Sequence, residues 1–374
     1  MMKIIVCPDS FKGSVTSLEA AVSIRKGLAL ASPESEVVVL PVADGGEGTL
    51  DAIVPEENRI VCKVRFPMVN SERSIDAIYG TLGDCAVIEM SRAAGLTLIR
   101  EEERNPLYAS TYGVGELIKD ALDRGYRRIL LTVGGSGTND GGTGLLEALG
   151  AVFYNREGVV VYGSGGALSE MDRIDLSSLD KRLSECEFTI ACDVTNPLTG
   201  PRGATMVYGG QKGADDQMLD TLERGMKNYV RILRRDFGAD VDKIPGCGAG
   251  GGIAASLLAY ANAKIVSGIS AVLDILKFDT LLADADFVIT GEGKTDIQSL
   301  FGKAVSGIAS AAKGRGVPVF VFCGTIGEGT EGIYDIGVKG IFSIAEGPCT
   351  LDYAMENAPR LLSRLAYRWG KMYL

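Results

Sequence analysis

A chain of 374 residues exceeds what one hydrophobic core usually organises, and points to two domains. Hydrophobic residues at 46% and charged residues at 23% exclude a disordered or fibrous protein, and a net charge of −10 excludes diffuse affinity for nucleic acid or anionic membrane. There is no histidine. That removes Ser-His-Asp and Cys-His nucleophiles, His-ligated zinc or haem and every imidazole acid or base, leaving carboxylates, Lys, Tyr and Cys for proton work.

Residues 3–7 form a short apolar run that ends in the loop Pro8-Asp9-Ser10-Phe11-Lys12-Gly13. The run is too short for a signal peptide, and no stretch approaches the ~20 apolar residues of a membrane span, so a cytoplasmic protein is expected. Residues 37–41 repeat the form and lead into Ala43-Asp44-Gly45-Gly46-Glu47-Gly48. From about 59 to 87 the pattern changes: Lys63-Val64-Arg65-Phe66 and residues 74–79 alternate polar and apolar, which predicts antiparallel strands. Residues 129–133 and 188–191 are again short strands running into polar loops, and 252–263 reads as a helix. Residues 287–290, 317–322 and 340–344 return to buried strands, the first two followed by Gly291-Glu292-Gly293-Lys294 and Gly324-Thr325. This order predicts an α/β fold in two domains: a parallel-sheet domain from residues 1–62 and 285–374, and an inserted mixed-sheet α/β domain from 63–284. Ligands of open α/β sheets bind beyond the carboxyl ends of the strands, so the loops are expected to share one edge. The eight cysteines are scattered with no C-x-x-C pair and read as reduced, mostly buried side chains.

Glycine numbers 49 and is clustered. Backbone N–H groups approach a phosphate or carboxylate closely only where side chains are absent, so repeated clusters suggest anion cradles. Asp44-Gly45-Gly46-Glu47-Gly48-Thr49 and Asn139-Asp140-Gly141-Gly142-Thr143-Gly144 share one form, an apolar run before and a helical pattern after. Each reads either as a helix-start anion site or as an N-capping Asp with turn-forming Gly. Lys12 is placed where a helix begins after the first strand, suited to a phosphate or a substrate carboxylate, or else to solvent; Lys212, Lys294, Lys303 and Arg202 are further cations of the same kind. Asp193 follows the strand at 188–191. It can hold Mg²⁺ or accept a hydroxyl proton, or form an Asx-turn ahead of Asn196-Pro197. Glu292 and Asp296 repeat that arrangement. Residues 246–251 satisfy G-x-G-x-x-G but follow the polar segment 236–244 instead of a buried strand, Asp236-Phe237-Gly238 stands without the H-R-D loop of a protein kinase, and a Walker-type loop is absent.

Together these loops resemble the type-1 group of bacterial glycerate kinases. The resemblance is carried by Pro8-Asp9-Ser10-Phe11-Lys12-Gly13-Ser14, residues 41–49, Thr111-Tyr112-Gly113-Val114-Gly115-Glu116, residues 134–142, residues 192–201, Gln211-Lys212-Gly213-Ala214, and Thr290-Gly291-Glu292-Gly293 through Asp296, Gln298 and Gly302-Lys303. The chain departs from the pattern at Gly209-Gly210, where the family usually has Gly-Pro, at 245–252, and at Lys294-Thr295-Asp296-Ile297-Gln298, while keeping the acids. The resemblance implies a flavodoxin-like or Rossmann-like domain carrying the inserted domain. It also implies an ATP- and Mg²⁺-dependent kinase acting on D-glycerate, giving 2-phosphoglycerate, with 3-phosphoglycerate as the alternative. By the same likeness Asp193 is the proton acceptor and Lys12 its catalytic partner. Asp9, Ser10, Lys12, Asp44 and Glu47 contact substrate. Gly134, Gly135, Ser136, Asn139, Asp140, Gly248 and Gly250 cradle nucleotide phosphates, and Asp44, Asp193, Glu292 and Asp296 hold the metal. A nucleotide-dependent oxidoreductase using 246–251 and a non-catalytic small-acid sensor are the competing readings. No nucleic-acid or membrane partner is expected, and self-association is left open.

Overall fold

The computed structural model describes residues 1–300 and 304–374; Gly302 and Lys303, singled out above, lie outside the described residues. The chain forms two compact units, Met1–Asp44 with Asp51–Ile53 and Ser267–Leu374, and Gly45–Leu50 with Val54–Val266. The sequence pattern put the changeovers at 62/63 and 284/285. They fall elsewhere because the strand at Arg59–Arg65 pairs along its whole length with Ser74–Gly80 of the second unit, whereas Ile269 packs on Gly307 of the first.

With elements numbered along the whole chain, the first unit holds β1 (Lys3–Val6), β2 (Glu36–Val39), β12 (Phe287–Thr295), β13 (Val319–Ile326) and β14 (Val338–Ser343). They form one parallel 5-stranded sheet in the order β14-β13-β12-β1-β2. Counted within the unit this is the flavodoxin-like order, whose direction of winding reverses between β1 and β12. Its helices are α1 (Ser17–Ala31), α9 (Gly268–Ile275), α10 (Phe278–Leu282), α11 (Ala304–Gly314), α12 (Leu351–Glu356) and α13 (Ala358–Tyr373). The strands read as apolar runs because both faces are covered: Ile4, Val6, Ile289, Phe320 and Phe322 face α1 and α13, while the alternating Val319 and Val321 point the other way. The Trp369 ring meets the edges of Phe287 and Phe320, with centroids 5.5 and 5.0 Å away.

The second unit has a 6-stranded mixed sheet in the order β11-β10-β6-β5-β4-β3. Its strands are β3 (Arg59–Arg65), β4 (Ser74–Leu82), β5 (Cys85–Glu89), β6 (Arg128–Thr132), β10 (Glu187–Ala191) and β11 (Lys264–Val266). From β5 to β11 the pairing is parallel, and β5, β4 and β3 pair antiparallel, as the alternation at 63–66 and 74–79 predicted. The helices are α2 (Thr49–Ile53), at the changeover between units, α3 (Ser91–Ala94), α4 (Tyr112–Asp123), α5 (Thr143–Ala148), α6 (Ala204–Tyr208), α7 (Asp216–Phe237) and α8 (Ile253–Tyr260). A 3-stranded antiparallel sheet, β8-β7-β9, is formed by β7 (Val152–Asn155), β8 (Val160–Val161) and β9 (Met171–Asp175). The sequence pattern did not predict it. No helix among the described residues is long and apolar enough to cross a membrane.

The crossing of α1 and α13 depends on one missing side chain: a Cβ on Gly27 would run into the Ser363 carbonyl oxygen and come 2.8 Å from the Ala366 Cβ. Alanine is the better helix former by about 1 kcal/mol, yet overpacking here outweighs that gain. Gly27→Ala is expected to lower stability by about 1–3 kcal/mol, read from the urea midpoint; an unchanged or raised midpoint would contradict the close crossing.

Candidate active site

In the first unit Asp9, Ser10 and Lys12 follow β1, Asp44 follows β2, and Glu292 lies within β12, whose ladder with β13 continues to Thr295 where the sequence pattern put a loop at 291–294. The exit of β1 is tied to β12, because the Thr290 hydroxyl donates to the Cys7 carbonyl at 3.0 Å and the Asp9 N–H to the Gly291 carbonyl at 2.8 Å. Asp9 is part-buried and accepts the Ser10 N–H at 2.6 Å. Burial pushes its carboxyl up to about 6; the Ser10 N–H opposes this, the neighbouring Asp44 and Glu292 carboxylates add to it, and the Lys12 ammonium opposes it. Asp9, Ser10, Lys12, Asp44 and Glu292 therefore form one electrostatic group. Lys12 is exposed on a tight turn closed by Phe11 N–H to the Val15 carbonyl at 2.9 Å. It does not stand at a helix start as expected, because α1 begins at Ser17 behind the Thr16–Glu19 capping box. Glu292 Oε1 accepts the Ser299 and Thr295 hydroxyls at 2.5 and 3.1 Å. Asp296 pairs with Lys294 at 2.9 Å and accepts the Gln298 N–H at 2.9 Å, so it shapes its own loop.

In the second unit, the glycine clusters are organised by the protein's own carboxylates. Asp140 is fully buried and accepts the Thr111 N–H and hydroxyl at 2.7 and 2.8 Å, with the N–H groups of Gly142 and Gly144 at 3.1 and 3.2 Å. Burial raises its pKa and these bonds hold it down. Glu89, 1% exposed at the end of β5, does the same for the other cluster, accepting Gly48 N–H at 2.8 Å, Leu50 N–H at 3.3 Å and the Ser91 hydroxyl at 3.0 Å. The amides at the starts of α5 and α2 are thus already engaged. Glu89 was missed from sequence; its one signal is an acid closing the apolar run Cys85-Ala86-Val87-Ile88.

Beyond β6 and β10, the loops at 133–142, 192–202 and 246–252 meet. Gly141 N–H donates to the Gly251 carbonyl at 3.0 Å, and Gly248 N–H to the Asn196 carbonyl at 3.0 Å. Gly251 has φ +69°, and a Cβ there would collide with the Thr138 carbonyl, so this seam requires glycine. The G-x-G-x-x-G at 246–251 follows α7 and a turn, not a strand, and so lacks the setting of a dinucleotide fingerprint. Gly134 and Gly135 lie against Glu47, itself exposed. Ser136 and Asn139 are buried; Asn139 donates to Thr205 Oγ1 at 2.9 Å. Asp193 is exposed two residues past β10, in a loop braced by Asn196, which donates to the Arg202 carbonyl and accepts from Tyr208, both at 2.8 Å. Arg202 itself is exposed. Lys212, a secondary candidate from sequence, is buried and donates to Ser136 Oγ at 2.9 Å and the Thr138 carbonyl at 2.7 Å.

Among the described residues no group of three or more His, Cys, Asp or Glu is arranged to hold a metal ion. Mg²⁺ is commonly held by one or two carboxylates and substrate phosphates, and the first-unit group sets three carboxylates against one ammonium, a charge balance suited to a divalent cation.

The model of the glycerate kinase family matches residues 4–374. The chain belongs to the glycerate kinase family. It is 43% identical over 370 residues to the glycerate kinase of Halalkalibacterium halodurans, covering 98% of this chain and 97% of that protein. It is 39% identical over 359 residues to the glycerate 2-kinase of Escherichia coli, covering 96% and 94%. A crystal structure named for glycerate kinase 2 of Salmonella typhimurium LT2 superposes with a TM-score of 0.88 at 40% identity, covering 99% of this chain and 98% of that one.

Two outcomes follow from these environments. Asp140→Ala strands four buried donor contacts and is expected to cost on the order of 3 kcal/mol or more in denaturant unfolding; a change under about 1 kcal/mol would contradict the anchoring role. Asp9 binds its proton more tightly in the fold than in the unfolded chain. Its contribution is therefore fully present below its ordinary pKa of 3.8 and is lost as pH rises through about 6. Asp9→Asn should raise stability at pH 7.5 by on the order of 2 kcal/mol, a gain that shrinks toward pH 4. A pH-independent difference would contradict this environment.

Proposed function

We propose that this family member transfers the γ-phosphoryl group of ATP to D-glycerate and yields 2-phosphoglycerate. The observation that carries the reading is 39% identity over 359 residues to a protein named glycerate 2-kinase, alongside the family match over residues 4–374. Phosphoryl transfer asks for positioning and charge neutralisation, not for an imidazole, so a chain without histidine is equipped for it.

In this reading Lys12, with Asp9, Ser10 and Glu47, binds the hydroxy acid, the ammonium meeting its carboxylate. Gly134, Gly135, Ser136 and Asn139 after β6, with Gly248 and Gly250, surround the nucleotide phosphates. Asp140 acts behind that loop by fixing its amides. Asp193 accepts the glycerate hydroxyl proton as that oxygen bonds to the γ-phosphorus and the bond to the β-phosphate oxygen breaks, releasing ADP. Asp44 and Glu292 are the residues suited to hold Mg²⁺, which supplies neutralisation of phosphate charge. Asp193 is assigned to proton transfer ahead of metal binding, and Asp296 to its pair with Lys294.

ADP release that requires ATP and D-glycerate together is the expected result for the wild type, and its absence would reject the function. Asp193→Asn should lower kcat by about 10²–10⁴ while ATP binding persists. Turnover near that of the wild type would reject the proton-acceptor assignment.

A further inference from the structure

Among the described residues Lys212 is the one lysine or arginine that is buried, at 2% exposure. It ends a short 3-10 turn, Gly210–Lys212, closed by Gly213 in the left-handed region at φ +94°. Its ammonium is held by two neutral oxygens, Ser136 Oγ at 2.9 Å and the Thr138 carbonyl at 2.7 Å, both on the loop that leaves β6. Burial pushes Lys212 down to about 8; the charge that opposes this is Asp140, whose oxygens are already taken by Thr111, Gly142 and Gly144. On the same loop, Asn139 Oδ1 and Thr138 Oγ1 are buried without a hydrogen-bond partner.

An apolar side chain of similar volume fills such a space without the penalty of burying a charge. A full positive charge seated behind a glycine loop acts differently, because its field in a low-dielectric setting favours a polyanion on the other side of the loop. With so little of the side chain exposed, the ammonium acts through the loop and not by contact.

We propose that Lys212 is a positioning residue for the nucleotide: it fixes the 134–139 loop through Ser136 and Thr138 and sets the positive potential in which the phosphates of ATP bind. This rests on the assignment of that loop to the nucleotide in the proposed function.

The test is steady-state kinetics of the full-length protein carrying Lys212→Met, together with the thermal shift produced by inorganic tripolyphosphate. The expected result is a rise of about tenfold in the KM for ATP, loss of the tripolyphosphate shift, and a KM for D-glycerate within about twofold of the wild type. An unchanged KM for ATP, or equal rises in both KM values, would overturn the proposal, the latter being what a purely structural lysine gives. Should Lys212→Met fail to fold, Lys212→Gln keeps a donor for Ser136 and Thr138 and removes the charge. It is expected to raise the KM for ATP alone by about threefold, and no change would overturn the proposal. Wild-type protein that forms no ADP with glycerate, but loses its tripolyphosphate shift on Lys212→Met, would reject the substrate reading and leave the role of Lys212 standing.

Discussion

Loops rich in glycine hold a defined shape only if something occupies their exposed amides, and in the second unit that is done by two enclosed carboxylates. Asp140 gathers the amides of Thr111, Gly142 and Gly144, which joins the starts of α4 and α5 at one point. Glu89 gathers those of Gly48 and Leu50 at the start of α2. Each acid serves as the fixed anion around which its loop is built. The loop at 134–139, assigned to the nucleotide in the proposed function, runs directly into Asp140 and is held from its other side by Lys212.

Charge separates the roles of the two groups of candidates. The first unit sets Asp9, Asp44 and Glu292 against Lys12; burial is the main reason the Asp9 carboxyl is raised, and the two neighbouring carboxylates add to it. In the proposed function this group is the one assigned to the metal and the hydroxy acid. The loop after β6, assigned to the nucleotide in the proposed function, instead has a buried ammonium whose hydrogen bonds go to neutral oxygens. A glycerate kinase needs both kinds of environment, and neither needs histidine.

Much of this was legible in the sequence, and the gaps have physical causes. β1, β12 and β13 announced themselves as apolar runs because both faces of the parallel sheet are covered, and β3 and β4 as alternation because they pair antiparallel at the edge of a mixed sheet. Asp9, Lys12 and Asp44 were found because they sit near glycines in loops after strands, and Glu292 because glycines flank it, although those glycines lie within β12 and not in a loop. Glu89 was missed because it closes a strand and contacts the glycine loop only in three dimensions. Asp140 was found as an acid among glycines, but whether it faces ligand or its own loop depends on burial, which local pattern does not encode. Lys212 was read as a candidate cation or else a solvated lysine, and its burial was not legible for the same reason. The domain changeovers differ from the sequence reading because they follow from which partner a segment packs on, β3 on β4 and Ile269 on Gly307, and not from local pattern.

The central claim is that these loops direct a phosphoryl group to the hydroxyl on carbon 2 of D-glycerate. Phosphorus and carbon NMR of the product formed from ATP, Mg²⁺ and D-glycerate tests it most directly. The expected product is a single phosphate monoester whose phosphorus couples to the proton on carbon 2, formed in equal amount with ADP. A phosphorus coupled to the carbon 3 protons, or no phosphorylated glycerate at all, would contradict it.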